Sequence, residues 1–188
     1  PAATGGAAVR RRPQGVPGAG RVILVGEGGT VSGWSPAVNR TSAITVVDTT
    51  LPVRPVYKGL AITSYAGANY LLAADFANNA IDVYDGTFAK VTLPGSFRDP
   101  ALPNGYAPFG IQAIGDRVYV AYAQKALAGN DEVAGAGLGY IDVYDTSGVL
   151  VKQLVAGGAL NAPWGMALAP ASFGTFSGDL LVGNFGDG

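Results

Sequence analysis

Short runs of alternating apolar and polar residues, each closed by a turn signal, fill most of the chain from Arg21 onward. The run Ile81-Asp82-Val83-Tyr84-Asp85 places Ile81, Val83 and Asp85 on one face of an extended strand, and Asp82 and Tyr84 on the other. Turn signals fall where hairpins need them: Glu27-Gly28-Gly29, Asn78-Asn79, Asp85-Gly86, Gly115-Asp116 and Ser147-Gly148. No stretch of about ten residues carries a helical period. The pattern predicts strands over 21–25, 29–34 and 43–48, then over 57–62, 69–74, 80–85 and 88–93. Further strands follow at 109–114, 117–123, 139–144 and 149–155, and the last at 164–168 and 179–183.

These runs repeat. The pentapeptide Ile-Asp-Val-Tyr-Asp stands at 81–85 and again at 141–145. Upstream of the first copy, Gly59-Leu60-Ala61-Ile62 precedes the apolar run 70–75; upstream of the second, Ala107-Pro108-Phe109-Gly110-Ile111 precedes 117–122. The frame opens a third time with Ala162-Pro163-Trp164-Gly165-Met166 before 179–183. Gly59, Gly110 and Gly165 are 51 and 55 residues apart. A period near 50 built from short strands is the signature of propeller blades. The expected fold is therefore all-β: a β-propeller of four-stranded antiparallel blades, three nearly complete and one half present. The two pentapeptides are expected to be third strands of adjacent blades, with Ile81, Val83, Ile141 and Val143 buried between sheets.

The segment Leu71-Leu72-Ala73-Ala74-Asp75-Phe76-Ala77-Asn78-Asn79-Ala80-Ile81-Asp82-Val83-Tyr84-Asp85 resembles the NHL-type propeller repeat: an apolar strand ending in Asp, a loop with paired Asn, and a strand ending in an aromatic-Asp pair. With the Ala-Pro-aromatic-Gly starts and the closing Gly183-Asn184-Phe185-Gly186-Asp187-Gly188, residues 21–188 are similar to a group of uncharacterised exported bacterial six-bladed propeller proteins. The third repeat departs from that pattern, because Ala123 to Gly139 replaces the short Asn-Asn turn. The resemblance implies about three and a half blades of a six-bladed ring over 21–188. Residues 1–20 are expected to be a flexible segment, with Ala7 to Val9 able to add part of an edge strand. Closed propellers use four to eight blades, so the ring is expected to be incomplete or closed by another chain. The half blade at 164–183 would then pair with 21–48 or be completed from outside, because open sheet edges demand partners.

Composition narrows the chemistry. Of the residues, 48% are hydrophobic and 13% charged, about half the usual charged share, and there are 29 glycines. A net charge of −1 gives no field to steer nucleic acid or an anionic membrane, and the cluster Arg10-Arg11-Arg12 reads as a solvated terminus. With no cysteine and no histidine, the chain lacks disulfides, thiolate metal sites, Ser-His-Asp and Cys-His catalysis and the histidine zinc motifs. No apolar run reaches the length of about 18 residues that suggests a membrane helix, and 1–20 has no apolar centre of the signal-peptide kind. Low charge and absent cysteine fit an exported bacterial protein, so the expected location is secreted or periplasmic.

Candidate site residues gather on the long loops, which on this strand assignment share one rim: Asp75 to Asn79, Leu93 to Ala107, Ala123 to Gly139, Ala156 to Ala162 and Asn184 to Asp187. Phe97, Arg98, Asp99, Asn104 and Tyr106 combine aromatic, cationic and amide groups suited to a sugar or a peptide. The structural alternative packs Phe97 and Tyr106 over a blade junction and pairs Arg98 with Asp99 or a neighbouring blade. Phe109 and Trp164 stand at equivalent starts of innermost strands, as packing residues that could also line a central pocket. Asp75, Asn79, Asn184 and Asp187 offer oxygens for calcium, although repetition at a blade loop favours turn formation. Asp82 and Asp142 recur at one repeat position and read as serving the repeat. The leading expectation is a non-catalytic binding or scaffolding module that holds a protein or carbohydrate partner by its loop rim or open edges. The alternatives are a calcium-dependent enzyme of the sugar-lactone hydrolase kind, or a subunit of an extracellular assembly. Against the enzyme, Gly59, Phe109 and Trp164 stand where a metal-holding acid is needed.

Overall fold

The structure, a computed structural model, describes residues 8–9, 18–49 and 54–188. Most of the expected N-terminal segment, including Arg10-Arg11-Arg12, lies outside the described residues. Two short strands fall within it, β1 (Ala8–Val9) and β2 (Gly18–Ala19), paired antiparallel.

From Val22 onward the described residues form a series of antiparallel sheets. The first contains β3 (Val22–Gly26), β4 (Thr30–Trp34) and β5 (Ile44–Asp48). The second contains β6 (Tyr57–Tyr65), β7 (Ala68–Asp75), β8 (Ala80–Tyr84) and β9 (Lys90–Val91). The third contains β10 (Tyr106–Ile114), β11 (Arg117–Gln124), β12 (Gly139–Asp145) and β13 (Leu150–Ala156). The fourth is the pair β14 (Pro163–Leu168) and β15 (Leu180–Asn184). Each sheet is a meander in chain order, and the sole helical turn among the described residues is a 3-10 turn at Gly174–Phe176. Neighbouring sheets pack in sequence, with β10 against both β6 and β14. Among the described residues the series does not close into a ring, and β14–β15 is a separate sheet rather than an extension of β3–β5. Pairing of 164–183 with 21–48 is thus not what the chain does.

Packing explains why the pentapeptide recurs. Ile81 and Val83 point into the core between the second and third sheets, with Leu72, Val118 and Val120, whereas Tyr84 points back into the core against Val31 of the first sheet. One sheet later, Ile141 packs towards Met166 of the fourth sheet, and Tyr144 points back towards the second. Both faces of a sheet between two others must be apolar or satisfied. Asp82 and Asp142 are accordingly buried along with the tyrosines beside them.

Three aligned glycines mark one local device. In each of the β6–β7, β10–β11 and β14–β15 ladders the register skips a residue just before the glycine: Lys58, Phe109 and Trp164. Such a bulge bends the strand and re-aims that side chain. Pro108 and Pro163 are tolerated beside it because β10 and β14 are edge strands with no ladder on their other side. A Cβ on Gly110 would lie 2.0 Å from the carbonyl oxygen of Trp164, so close approach of the next sheet requires glycine there.

Most predicted boundaries shift by a residue, the strand expected at 57–62 runs on to Tyr65, and two further differences have a local cause. The strand expected at 88–93 is only Lys90–Val91, because Asp85 folds the preceding residues into a tight turn: its Oδ1 accepts from the Thr87 amide (2.8 Å), the Thr87 hydroxyl (2.7 Å) and the Ala89 amide (3.0 Å). The strand expected at 109–114 begins at Tyr106, since the bulge lets pairing continue past Phe109 to Gln124.

Candidate binding site

At the starts of β6, β10 and β14, the bulge residues tie the sheets together. The Trp164 indole Nε1 donates to the Lys58 carbonyl oxygen (2.8 Å), joining β14 to β6. Lys58 Nζ bonds Glu27 Oε1 at 2.7 Å, lies 3.5 Å from Glu132 Oε2, and stands over the rings of Phe76 and Phe109 at 5.8 and 5.9 Å. Burial alone would lower the Lys58 pKa, but Glu27 and Glu132 outweigh it and hold the ammonium charged. Phe109 sits between Phe76 (5.6 Å) and Phe185 (5.7 Å), as a buried member of an aromatic column. Trp164 lines a cleft of about 230 Å³ together with Gly59, Leu60, Gly110 and Met166, between the first strands of the second, third and fourth sheets.

A second hollow forms under the connector between β9 and β10. The Gly95 amide donates to the Ser147 carbonyl and the Phe97 amide to the Gly148 carbonyl, both at 2.9 Å, which clasps the connector onto the β12–β13 hairpin. Phe97 is buried against Tyr144 (5.7 Å) and takes a positive φ of 50° to reach it. Asp99 then turns the chain, its Oδ1 accepting from the Ala101 amide at 2.8 Å. The result is a polar cavity of about 150 Å³ whose walls include Arg98, Asp99, Asn104, Asn79 and Tyr122. Four of the residues singled out from sequence, Phe97, Arg98, Asp99 and Asn104, therefore meet here. Tyr106 does not; it packs edge-on against Tyr140 at 4.7 Å. Arg98 pairs with neither Asp99 nor a neighbouring sheet, and makes no ion pair among the described residues. Asp99 is engaged instead by Gln153 Nε2 at 3.3 Å.

The candidate calcium ligands are divided between two loops. Asp75 accepts from the Val56 and Asn78 amides (3.2 Å each) and from Asn78 Nδ2 (2.6 Å). Asn184 accepts from the Asn161 amide (3.0 Å) and donates to the Ala159 carbonyl (2.9 Å). Each clasps the start of its own sheet to the end of the second strand. Asn79 lies in the connector cavity, and Asp187 is exposed on the fourth sheet's loop.

Sequence reasoning treated Asp82 and Asp142 as equivalent, and here the structure separates them. Asp82 Oδ1 is met by Lys90 Nζ at 2.7 Å, and Oδ2 accepts from the Tyr57 hydroxyl at 2.8 Å. Asp142 is fully buried; its Oδ2 has a long contact from the Tyr144 hydroxyl (3.4 Å), and its Oδ1 has no hydrogen-bond partner among the described residues. Burial first, and the charge of Asp99 second, push its pKa up to about 7. The difference was legible in the repeat: where 81–90 ends in Lys90, 141–150 ends in Leu150.

No protein-family model matches the chain. It is similar to uncharacterized proteins of Acanthamoeba polyphaga mimivirus. One is 34% identical over 171 residues, covering 89% of this chain and 31% of the relative. Another is 35% identical over 178 residues, covering 90% and 46%, and a third is 33% identical over 175 residues, covering 90% and 42%. The chain thus spans between about a third and a half of the curated relatives it matches. These relatives are viral, whereas the repeat resemblance pointed to bacterial proteins.

Proposed function

We propose that residues 21–188 are part of an NHL-like β-propeller, about three and a half blades of a six-bladed ring, acting as a non-catalytic binding module. The architectural part is supported by the repeated bulge at Lys58, Phe109 and Trp164 and by the common orientation of the two pentapeptides. The binding part rests on one observation: Arg98 is exposed, without an ion pair among the described residues, at a polar cavity that also holds Asn79, Asp99 and Asn104. An uncommitted guanidinium beside amide groups suits a carboxylate-bearing peptide or an acidic sugar. The test is a binding screen of acidic oligosaccharides and acidic peptides against the wild-type chain and Arg98→Ala. A ligand whose affinity falls at least about tenfold in the variant supports the reading. A screen without a binder, or a binder indifferent to Arg98, overturns it.

A second reading, assembly through an open face, is favoured by the fourth sheet. Phe185 is 62% exposed where its equivalent Phe76 is 0%, and Trp164 is 48% exposed where Phe109 is 2%. A Cβ added to Gly59 or Gly110 would press on the next sheet's backbone, but one added to Gly165 would meet nothing within 4 Å. In this chain that face is covered by a following sheet wherever one follows.

A further inference from the structure

Three polar side chains on the connector cavity have no protein partner among the described residues. The paired asparagines of the β7–β8 turn have different roles. Asn78 builds the turn, its Nδ2 donating to Asp75 Oδ2 at 2.6 Å, whereas the Asn79 side chain makes no such bond and lines the cavity. From the connector come Arg98, without an ion pair, and Asn104, whose amide is likewise unbonded. All three side chains are exposed, yet the backbone beneath them is held. Arg98 stands between two buried residues, Phe97 and Asp99, and the Phe97 amide is clasped to the Gly148 carbonyl at 2.9 Å. Lys125 joins the segments that carry the two free amides. Its own amide donates to the carbonyl of Gly105, next to Asn104, and its Nζ to the carbonyl of Ala77 in the Asn79 turn, both at 2.7 Å. Asn79 (φ 51°) and Phe97 (φ 50°) keep left-handed backbone, which a non-glycine residue holds only where its surroundings fix it. The cavity is thus organised before any ligand arrives.

Resting on the Arg98 reading given above, we infer that this cavity binds one hexuronate ring, its carboxylate on Arg98 and its hydroxyls on Asn79 and Asn104. A side-chain amide both donates and accepts, and so does a hydroxyl, so adjacent hydroxyls satisfy both ends of each free amide. Asp99, buried in the wall with Oδ2 accepting from Gln153 at 3.3 Å, offers a further acceptor to a hydroxyl. The same carboxylate repels a densely charged anion such as phosphate. A ligand with one carboxylate and several neutral hydroxyls meets both conditions. An extended peptide does not, because it needs a run of free strand edge to pair with its backbone. Among the lining residues that lie in strands, Pro108 has no N–H, Tyr122 is paired on both sides, and Ala80 is a single residue at a strand's start. The volume of about 150 Å³ suits one sugar ring and lies below the roughly 300 Å³ at which pockets enclose larger ligands.

The test titrates the whole chain with the methyl glycosides of glucuronate, galacturonate and mannuronate, with methyl glucoside, and with a blocked peptide containing one glutamate. Side-chain amide and guanidinium resonances in NMR spectra report contact at Asn79, Asn104 and Arg98 directly. At least one uronide should shift all three saturably, and methyl glucoside should bind at least about tenfold more weakly. Affinity for that uronide should fall at least about tenfold in Arg98→Ala and about fivefold in Asn104→Ala and in Asn79→Gly. Glycine is used at 79 because it keeps the left-handed backbone. All three variants change exposed side chains, so they test binding rather than folding. Uronide binding unchanged in both asparagine variants, or methyl glucoside binding equally well, would overturn the inference. Arg98-dependent binding of the peptide without any uronide would overturn it too, while leaving the Arg98 reading intact. Absence of any Arg98-dependent binder would end both.

Discussion

Asp82 and Asp142 show how one residue five positions downstream of a repeat, Lys90 or Leu150, decides the state of a buried carboxylate. The raised pKa of Asp142 has a definite consequence for stability. An acid whose folded pKa exceeds its ordinary value of 3.8 favours folding at low pH, and that contribution is lost as the pH rises towards about 7. The ligand-free chain should therefore lose melting temperature between about pH 4 and pH 7 through this group, and Asp142→Asn should flatten that part of the profile. Matching profiles for the two proteins would show that Asp142 is not the titrating group. At this scale the sequence was informative in part. It singled out Phe97, Arg98, Asp99 and Asn104 as one stretch, and they do share a cavity. Its structural alternative paired Arg98 with Asp99 or a neighbouring blade, whereas Asp99 is committed to its own turn and to Gln153. It passed over Asp142, because a repeated residue was read as having a repeated environment.

Hairpins and bulges carry the next level of organisation. Asp145 makes the same turn as Asp85: its Oδ1 accepts from the Ser147 amide (2.9 Å), the Ser147 hydroxyl (2.6 Å) and the Val149 amide (3.0 Å). These bonds hold both carboxyl groups below their usual pKa against burial, which is the largest single effect at Asp145 but is outweighed by the bonds together, so this support exists above the ordinary carboxylate range and is lost as acid protonates them. Asp145→Ala should cost about 1 kcal/mol at neutral pH and less in acid, measured by urea unfolding. A cost independent of pH would assign the turn's stability to its backbone. The glycine pair makes a sharper comparison. Gly110→Ala forces a methyl group into the Trp164 backbone and should destabilise by about 2 kcal/mol or more. Gly165→Ala, with open space before it, should stay within about 0.5 kcal/mol. Equal effects would contradict the close approach of the third and fourth sheets. From Val22 onward strand existence was legible, because alternation and turn residues are local, whereas β2 (Gly18–Ala19) falls in a stretch expected to be flexible. The lost length of β9 was not, since Asp85 ends the ladder through side-chain bonds that periodicity does not register.

At the scale of the molecule, the argument turns on what covers the fourth sheet. Trp164, Leu168, Leu181 and Phe185 are exposed on or beside β14–β15, with Phe173 and Phe176 on the intervening loop. At the other end of the series Val22 and Leu24 are exposed on β3. The period near 50 predicted the repetition, yet no sequence signal could say whether the two ends meet, since closure depends on curvature accumulated over every sheet. In the structure they do not form one sheet. A two-stranded sheet is marginal in water by itself, and a contiguous apolar surface of this kind drives association. The 188-residue chain should therefore self-associate in a concentration-dependent way in sedimentation velocity. Phe185→Glu should weaken that association at least about tenfold, because a carboxylate would be buried without a partner at the new contact. A chain that sediments as a single monomeric species at all concentrations, with cooperative unfolding, would defeat this expectation. The aromatic column Phe76, Phe109 and Phe185 would then have to be stable with its last ring in water.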